Sequence, residues 1–198
     1  MAVPTIKPQQ VVTGPGQLKA APLGSTLPTV AVASGKFSHT WDLAWIDIGA
    51  TSEGTEESHS ITVDAVEVAE SYYPVKRVTT GKADSLSFAM AQINAFNWRL
   101  ALNAAAAAVT LTGTGATALQ RVRPPLAGSE VRYMLAWVSD DDTQLLMCYQ
   151  VFQTGNVTIP RRKGADKAVL SVEFGLELPD SAIAPVPYDV YLAGPNYM

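Results

Sequence analysis

The chain has 198 residues, of which 47% are hydrophobic and only 16% charged, with a net charge of −4. That length suits one domain with a real core, and a charged share well below the usual ~25% leaves a monomer short of polar covering, so much of the surface is expected to face other protein. The negative balance, with no basic run longer than Arg161-Arg162-Lys163, argues against a dedicated grip on nucleic acid, and the single cysteine, Cys148, excludes an intrachain disulfide and a zinc cluster.

Residues 1–60 carry Pro4, Pro8, Pro15, Pro22 and Pro28 with glycines between them, a composition that predicts strand fragments joined by long connections. Phe37, Trp41, Trp45 and Ile46 lie in the same region, and aromatic residues on such a segment imply that it orders by packing on its own core or on a neighbouring chain. The opening Met1-Ala2-Val3-Pro4-Thr5 has no positive stretch followed by an apolar core, so the protein is expected to be made in a cytoplasm without a secretory signal. The longest apolar stretch, Ala104 to Val109, is far short of the ~20 residues of a membrane span, and no membrane binding is expected.

From His59 the pattern becomes regular. Ile61 and Val63 alternate with Thr62 and Asp64 as in a half-buried strand, and the change of parity at Val66 and Val68 predicts a β-bulge. Val75–Thr80 and Lys82–Ala91 read as a hairpin around Thr80-Gly81-Lys82, with Leu86, Phe88 and Met90 on one face of the second arm. Residues 93–109 form the helix candidate: Ile93, Phe96, Asn97 and Leu100 follow helical spacing, Asn94 is a suitable N-cap, and Ala104 to Ala108 have high helix propensity.

After Pro124-Pro125 the sequence reads as strands. Glu130–Ser139 and Thr143–Gln153 flank a tight turn at Asp140-Asp141-Asp142. Val131, Tyr133, Leu135 and Trp137 are apolar on one face of the first arm, and Met134, Ala136 and Val138 on the other, which predicts a strand covered on both sides. Cys148 falls in the second arm as a small buried hydrophobe. Val157–Pro160 reads as a short strand and Asp166–Leu178 as a strongly alternating one. Residues 180–198, with Pro185, Pro187 and Pro195, read as an extended arm.

Catalytic chemistry does not assemble. His39 and His59 lack ligand partners at metal-binding spacing, so no metal site is expected. Thr13-Gly14-Pro15-Gly16-Gln17 lacks the lysine of a phosphate loop, Thr112-Gly113-Thr114-Gly115 follows a helix instead of opening one, and no Gly-x-Ser-x-Gly elbow occurs. The three consecutive aspartates lack the ligand ladder of a calcium loop and read as a solvated turn. Glu53, Glu56 and Glu57 form an acidic group that is either a solvated loop or a contact patch. No catalytic, metal or cofactor residue is assigned, and the chain is not expected to be an enzyme.

Two segments resemble a known family. Gly16-Gln17-Leu18-Lys19-Ala20-Ala21-Pro22-Leu23-Gly24-Ser25-Thr26-Leu27-Pro28-Thr29 and Trp45-Ile46-Asp47-Ile48-Gly49-Ala50-Thr51-Ser52-Glu53-Gly54 are similar to the opening strand and the following W-x-x-L-G-x-T-x-x-G segment of siphophage major tail proteins, or tail tube proteins, with Ile48 where leucine is commoner. The resemblance spans roughly residues 10–110. It implies a mainly β fold of two packed antiparallel sheets, a sandwich or barrel, with one flanking α-helix and extended N- and C-terminal arms. It further implies six subunits per ring, a sheet shared between neighbours, rings stacked through arms and a long loop, and a lumen that holds tape-measure protein and conducts DNA. Tail-tip and terminator proteins are the other implied partners, the virion tail is the implied location, and assembly is expected in the host cytoplasm.

The lumen-facing candidates, from strand alternation, are Thr62, Asp64, Ser85, Ser87, Ser171, Glu173 and Glu177. The ring-to-ring candidates are Trp45, Ile46, Ile48, Glu53, Glu56, Glu57, Tyr188 and Tyr191, within a loop at 45–59 and arms at 1–16 and 180–198 of a single domain. Deleting 180–198 is expected to leave a soluble protein that does not polymerise. The competing readings are a tail terminator, connector or secretion-tube ring, which would stop at one ring or build another tube, and a β-sandwich that binds carbohydrate or a cell-surface partner through Trp41, Trp45, Trp98 and Trp137.

Overall fold

The computed structural model describes residues 16–115, 118–160 and 168–193. Its organising pair is β9 (Tyr133–Ser139) and β10 (Gln144–Gln153), antiparallel and joined by the three-aspartate turn. Asp142 takes a left-handed backbone at φ 56°. The Asp141 carboxylate accepts from the Thr143 hydroxyl at 2.8 Å and from its backbone N–H at 3.2 Å, so the aspartates shape the turn. Because β9 is apolar on both faces, it separates two cores. Tyr133 and Leu135 enter one core with Cys148 and Val151, while Met134, Ala136 and Val138 enter the other with Leu145 and Met147. The division is the one its alternation predicts.

These strands lie in an eight-stranded sheet of order β4-β1-β9-β10-β11-β6-β5, with β12 beside β10. The remaining members are β1 (Gly16–Pro22), β4 (Ile46–Asp47), β5 (Thr51–Val66), β6 (Lys76–Met90), β11 (Leu170–Leu176) and β12 (Tyr188–Leu192). Each recorded pairing is antiparallel. The sheet curls strongly, since Leu18 and Ala20 of β1 pack in the same core as Leu86, Phe88 and Met90 of β6, four strands away. Its edge strands β4 and β5 are linked only by Ile48, Gly49 and Ala50, a reach of at most ~15 Å. The two packed layers are limbs of this curled sheet, and among the described residues no ladder closes it into a barrel.

The second core is covered by a separate hairpin, β2 (Thr29–Ala33) with β3 (Lys36–Thr40), through Phe37 and the neighbouring Trp41 and Trp45. Helix α1 (Ala95–Ala101) closes the bottom of the first core. Its N-cap is Asn94, as the sequence indicates, with the side-chain oxygen accepting from the Asn97 backbone N–H at 2.8 Å. The buried Asn97 amide donates to the carbonyls of Ile48 at 2.9 Å and Gln92 at 2.7 Å, pinning the helix to the link between the sheet edges.

The helix is much shorter than the 93–109 reading. Asn103 stops it with a left-handed backbone at φ 51°. The buried Asn103 side chain donates to the Gln153 carbonyl at 3.0 Å and accepts from the Gln153 N–H at 2.9 Å, which fixes that conformation against β10. The alanine run then forms only a 3-10 turn at Ala106–Ala108 before β7 (Val109–Thr112), which pairs with β8 (Leu119–Val122) in a ribbon outside the main sheet. Tertiary hydrogen bonds override alanine propensity here.

Four further readings change. The hairpin expected around Thr80-Gly81-Lys82 is absent, because β6 runs unbroken and pairs along its length with β5, the connection being residues 67–75. Most of the loop assigned to 45–59 is the first half of β5. The bulge lies between Thr62 and Val63, opposite Gly81 and Thr79, so the extra residue is Thr80 on the partner strand. Val157–Pro160 contributes only an isolated bridge, Thr158 to Ser171.

The terminal arms divide similarly. Apart from Gly16, the arm at 1–16 lies outside the described residues, as do 194–198 of the C-terminal arm and residues 161–167, which include Asp166 of the expected strand. The rest of the C-terminal arm is built into the fold: β12 pairs with Gln144–Cys148, and Ala184 and Ala193 are buried in the second core. Deletion of 180–198 therefore removes a core strand, and the outcome now expected is loss of at least ~3 kcal/mol of stability, not a well-folded monomer. Chemical denaturation of the truncated chain against the full one measures this.

Candidate functional site

Directly paired residues of antiparallel strands share a face, so the ladders assign faces without ambiguity. On β6 and β11, Leu86, Phe88, Met90, Leu170, Val172 and Phe174 point into the first core. The opposite face is open. It carries Ser85, Ser87 and Ala89 of β6, facing Gly175, Glu173 and Ser171 of β11. On β5 it carries Glu56 and Ser58, opposite Ser87 and Ser85. Four of the seven lumen candidates, Ser85, Ser87, Ser171 and Glu173, are thus gathered on one polar surface of small and acidic side chains.

Thr62 and Asp64 continue the same face onto the outer part of β5. Glu177 lies at its margin, where it accepts from Arg132 Nε at 3.0 Å and from Gln150 at 2.8 Å. Arg132 also stacks over Phe152, its guanidinium carbon 4.7 Å from the ring centre. The cation at this margin is therefore held by a carboxylate and an aromatic ring. A shallow cavity of about 290 Å³ opens on the face between Glu53, Glu56, Ser87 and Ser171.

The outer half of the sheet's edge is a free ribbon. Residues 85–90 of β6 have β11 on one side and β5 on the other, whereas 76–84 have β5 alone. The ribbon is exposed along both arms, including Ile61, Val63, Tyr72 and Tyr73. An exposed apolar ribbon and a long open edge are liabilities in a solitary molecule and are normal where a partner covers them.

The family model for phage tail tube proteins matches residues 5–174. The chain belongs to the phage tail tube protein family. No curated protein sequence matches it. Membership makes it a structural component of the virion tail, a tube-forming subunit that associates with its own kind. The tail tube protein has no helix long and apolar enough to cross a membrane, and no metal-holding group of three or more His, Cys, Asp or Glu side chains, among the described residues. Cys148 is buried, and burial pushes its thiol pKa up, away from a reactive thiolate.

The ring-to-ring candidates fare unevenly. Trp45 and Ile48 belong to the subunit's own interior: Trp45 donates its indole N–H to the Thr26 carbonyl at 2.9 Å, and Ile48 is fully buried in the first core. Both were singled out by residue type, and both serve packing instead. Tyr191 packs on the second core, with its hydroxyl 3.3 Å from that of Tyr149. Ile46, Glu53 and Glu56 are exposed, and Glu56 shares the open face with Ser87. Sequence reasoning missed Ser58 and Gln150 on or beside that face; reading β5 as a strand from Thr51 would have found Ser58.

Glu57 and Tyr188 meet at an unforeseen cluster. His59 bridges two carboxylates, with Nδ1 2.9 Å from Asp84 and Nε2 2.8 Å from Glu57, and its ring stacks on Tyr188 at 5.3 Å. The cluster ties the root of the β5–β6 ribbon to β12. The Asp84 hydrogen bond chiefly raises the imidazole pKa above its ordinary 6.5; partial burial works the other way and Glu57 adds to the rise. A raised folded pKa contributes stability that is full below the unfolded value and is lost as pH climbs through the folded one. Thermal stability of the tail tube protein should therefore fall modestly as pH rises from the ordinary imidazole value of 6.5 through the higher folded value, and His59→Gln should flatten that slope. Melts across this range, with NMR titration of His59, check both.

Proposed function

We propose that this tail tube protein closes into hexameric rings which stack into the tube, with the open face of β5, β6 and β11 lining a lumen that holds tape-measure protein during assembly and conducts DNA during ejection. The observation that carries the reading is the contrast between the two faces of those strands. One face is a packed apolar core; the other is serine, alanine, glycine and glutamate, with its marginal arginine bound by Glu177. A surface of small side chains and fixed negative charge repels phosphates and offers them nothing to hold. That suits passage, where a basic lining would bind and stall the polyanion.

The free edge of β5 supports ring closure. Pairing it with a neighbouring subunit satisfies its outward N–H and C=O groups, and head-to-tail pairing that closes yields a ring with no edge left. Ile46, at the short edge strand β4, and Glu53, in the irregular stretch of β5 between its Thr51 and Thr55 pairings, are candidates for contacts between subunits, together with the arms at 1–16 and 194–198. Tail-tip and terminator proteins would occupy the two ends of the stack, and assembly would take place in the host cytoplasm.

The lumen assignment is tested with Ser87→Cys, since the native Cys148 is buried and contributes little background. In purified tubes the introduced thiol should react with a small maleimide and be protected from a polyethylene-glycol maleimide too large to enter the bore. Negative-stain images should show those tubes as stacked rings. Equal labelling of tubes and monomers by the large reagent would place Ser87 on the outside and remove the reading.

A further inference from the structure

The main sheet places two unpartnered ribbons at opposite ends of the molecule. Along the strand direction, Met90, Leu170, Gln153, Tyr133 and Pro22 lie at one end, as the ladders require. Helix α1 is bound there through Asn103 and Gln153, and the β7–β8 ribbon follows it. At the other end, residues 76–84 of β6 and their β5 partners extend about 30 Å past the last β11 pairing, at ~3.4 Å per residue.

The tips have complementary chemistry. The β5–β6 connection exposes Val68, Tyr72 and Tyr73, with Tyr72 fully exposed, and carries Glu67 and Glu70. Lys76 and Arg77 are set back on the strand below it. The β7–β8 ribbon exposes Leu111 and Leu119, at 61% and 65%, together with Arg121 and the following Arg123. By register, Leu119 and Arg121 share one face with Thr112 and Thr110, while Leu111 lies with Gln120 on the other. None of these two glutamates and two arginines makes an ion pair among the described residues. The β5–β6 connection therefore presents exposed aromatic side chains beside two glutamates, with Lys76 and Arg77 at its base, and one face of the β7–β8 ribbon presents Leu119 beside two arginines.

We infer that the tip of the β5–β6 ribbon of one subunit docks on the Leu119 and Arg121 face of the β7–β8 ribbon of a second copy in the next ring, with Tyr72 and Tyr73 against Leu119, and Glu67 and Glu70 paired with Arg121 and Arg123. The inference rests on the stacked-ring reading and names the surface that makes the stack. Using opposite ends of one molecule makes the contact heterologous, so each added ring presents the same unfilled tip and growth continues as a tube. Aromatic side chains supply contact area at low entropy cost, and the charges fix register and direction.

The test is charge reversal in the full chain, read as the critical concentration for tube formation by sedimentation and negative-stain microscopy. Arg121→Glu with Arg123→Glu should raise it at least about tenfold, as should Glu67→Arg with Glu70→Arg. The four changes together should restore it to within about threefold of the natural chain. All four side chains are exposed, so melting temperatures should not move; if the arginine reversal does not fold, Arg121→Gln with Arg123→Gln is read in the same assay. Natural-like assembly of the arginine variant, or failure of the combined variant to recover, overturns this contact and leaves the tube reading standing. A natural chain that stays monomeric at every concentration overturns both.

Discussion

The structure depends on the burial of both faces of β9 and β10. A strand pair covered on one side needs one core; this pair needs two. The sheet answers the first demand by curling, so that β1, β6 and α1 meet over Tyr133, Leu135 and Cys148. The second is met by material outside the main sheet, chiefly the β2–β3 hairpin and the segment around Ala184. That second covering reaches only the β1, β9 and β10 part of the sheet. The same face of β11, β6 and β5 is left bare, and its residues are correspondingly small and polar. The open surface is thus the uncovered remainder of a sheet whose other half is doubly packed.

Curling also decides where the edges fall. Ile48 sits in the first core between β4 and β5, and the Asn97 amide grips its carbonyl, so the two edges are held close without being hydrogen-bonded to each other. A sheet that joined them would be a closed barrel with no edge to offer. Stopping short leaves β5, the longest described strand, with one side unpaired among the described residues. A monomer carries such an edge only at the risk of indiscriminate pairing. In the proposed ring, a second copy removes that risk.

The parts of the fold legible in the sequence are those where one side-chain pattern had one physical meaning. The two apolar stripes of residues 131–138 map onto the two cores residue by residue, and Asn94 caps the helix as its type suggests. The sequence misled where a long-range partner reversed a local preference. Ala104 to Ala108 favour a helix, but the buried hydrogen bonds of Asn103 to Gln153, 50 residues away, end it first. Thr80-Gly81-Lys82 has turn composition, yet it lies in a strand because β5 is long enough to pair past it and absorbs the misfit as a bulge. Trp45 and Ile48 show the same limit for the site: an aromatic or branched residue in a glycine-rich segment suits an interface or a core equally well until the segment's own partners are known. Serine and glutamate on alternating positions were more informative, because a polar stripe opposite a packed one has few uses inside a subunit.

The low charged fraction now has a structural location. The β5–β6 ribbon carries a run of exposed valines, isoleucine and tyrosines, and the β7–β8 ribbon exposes Leu111 and Leu119, while single exposed apolar residues such as Leu43 and Leu178 lie elsewhere on the surface. Apolar exposure gathered on two ribbons, with a polar face between them on the sheet, gives the surface regions of different chemistry. The ribbons gain by excluding water against another protein surface; the polar face gains by keeping it. The proposed stack of copies would satisfy both conditions at once, since contacts made at the ends of each subunit would leave the middle of the sheet facing a water-filled bore. An isolated monomer satisfies only the second, and a closed dimer built through one ribbon would leave the other exposed.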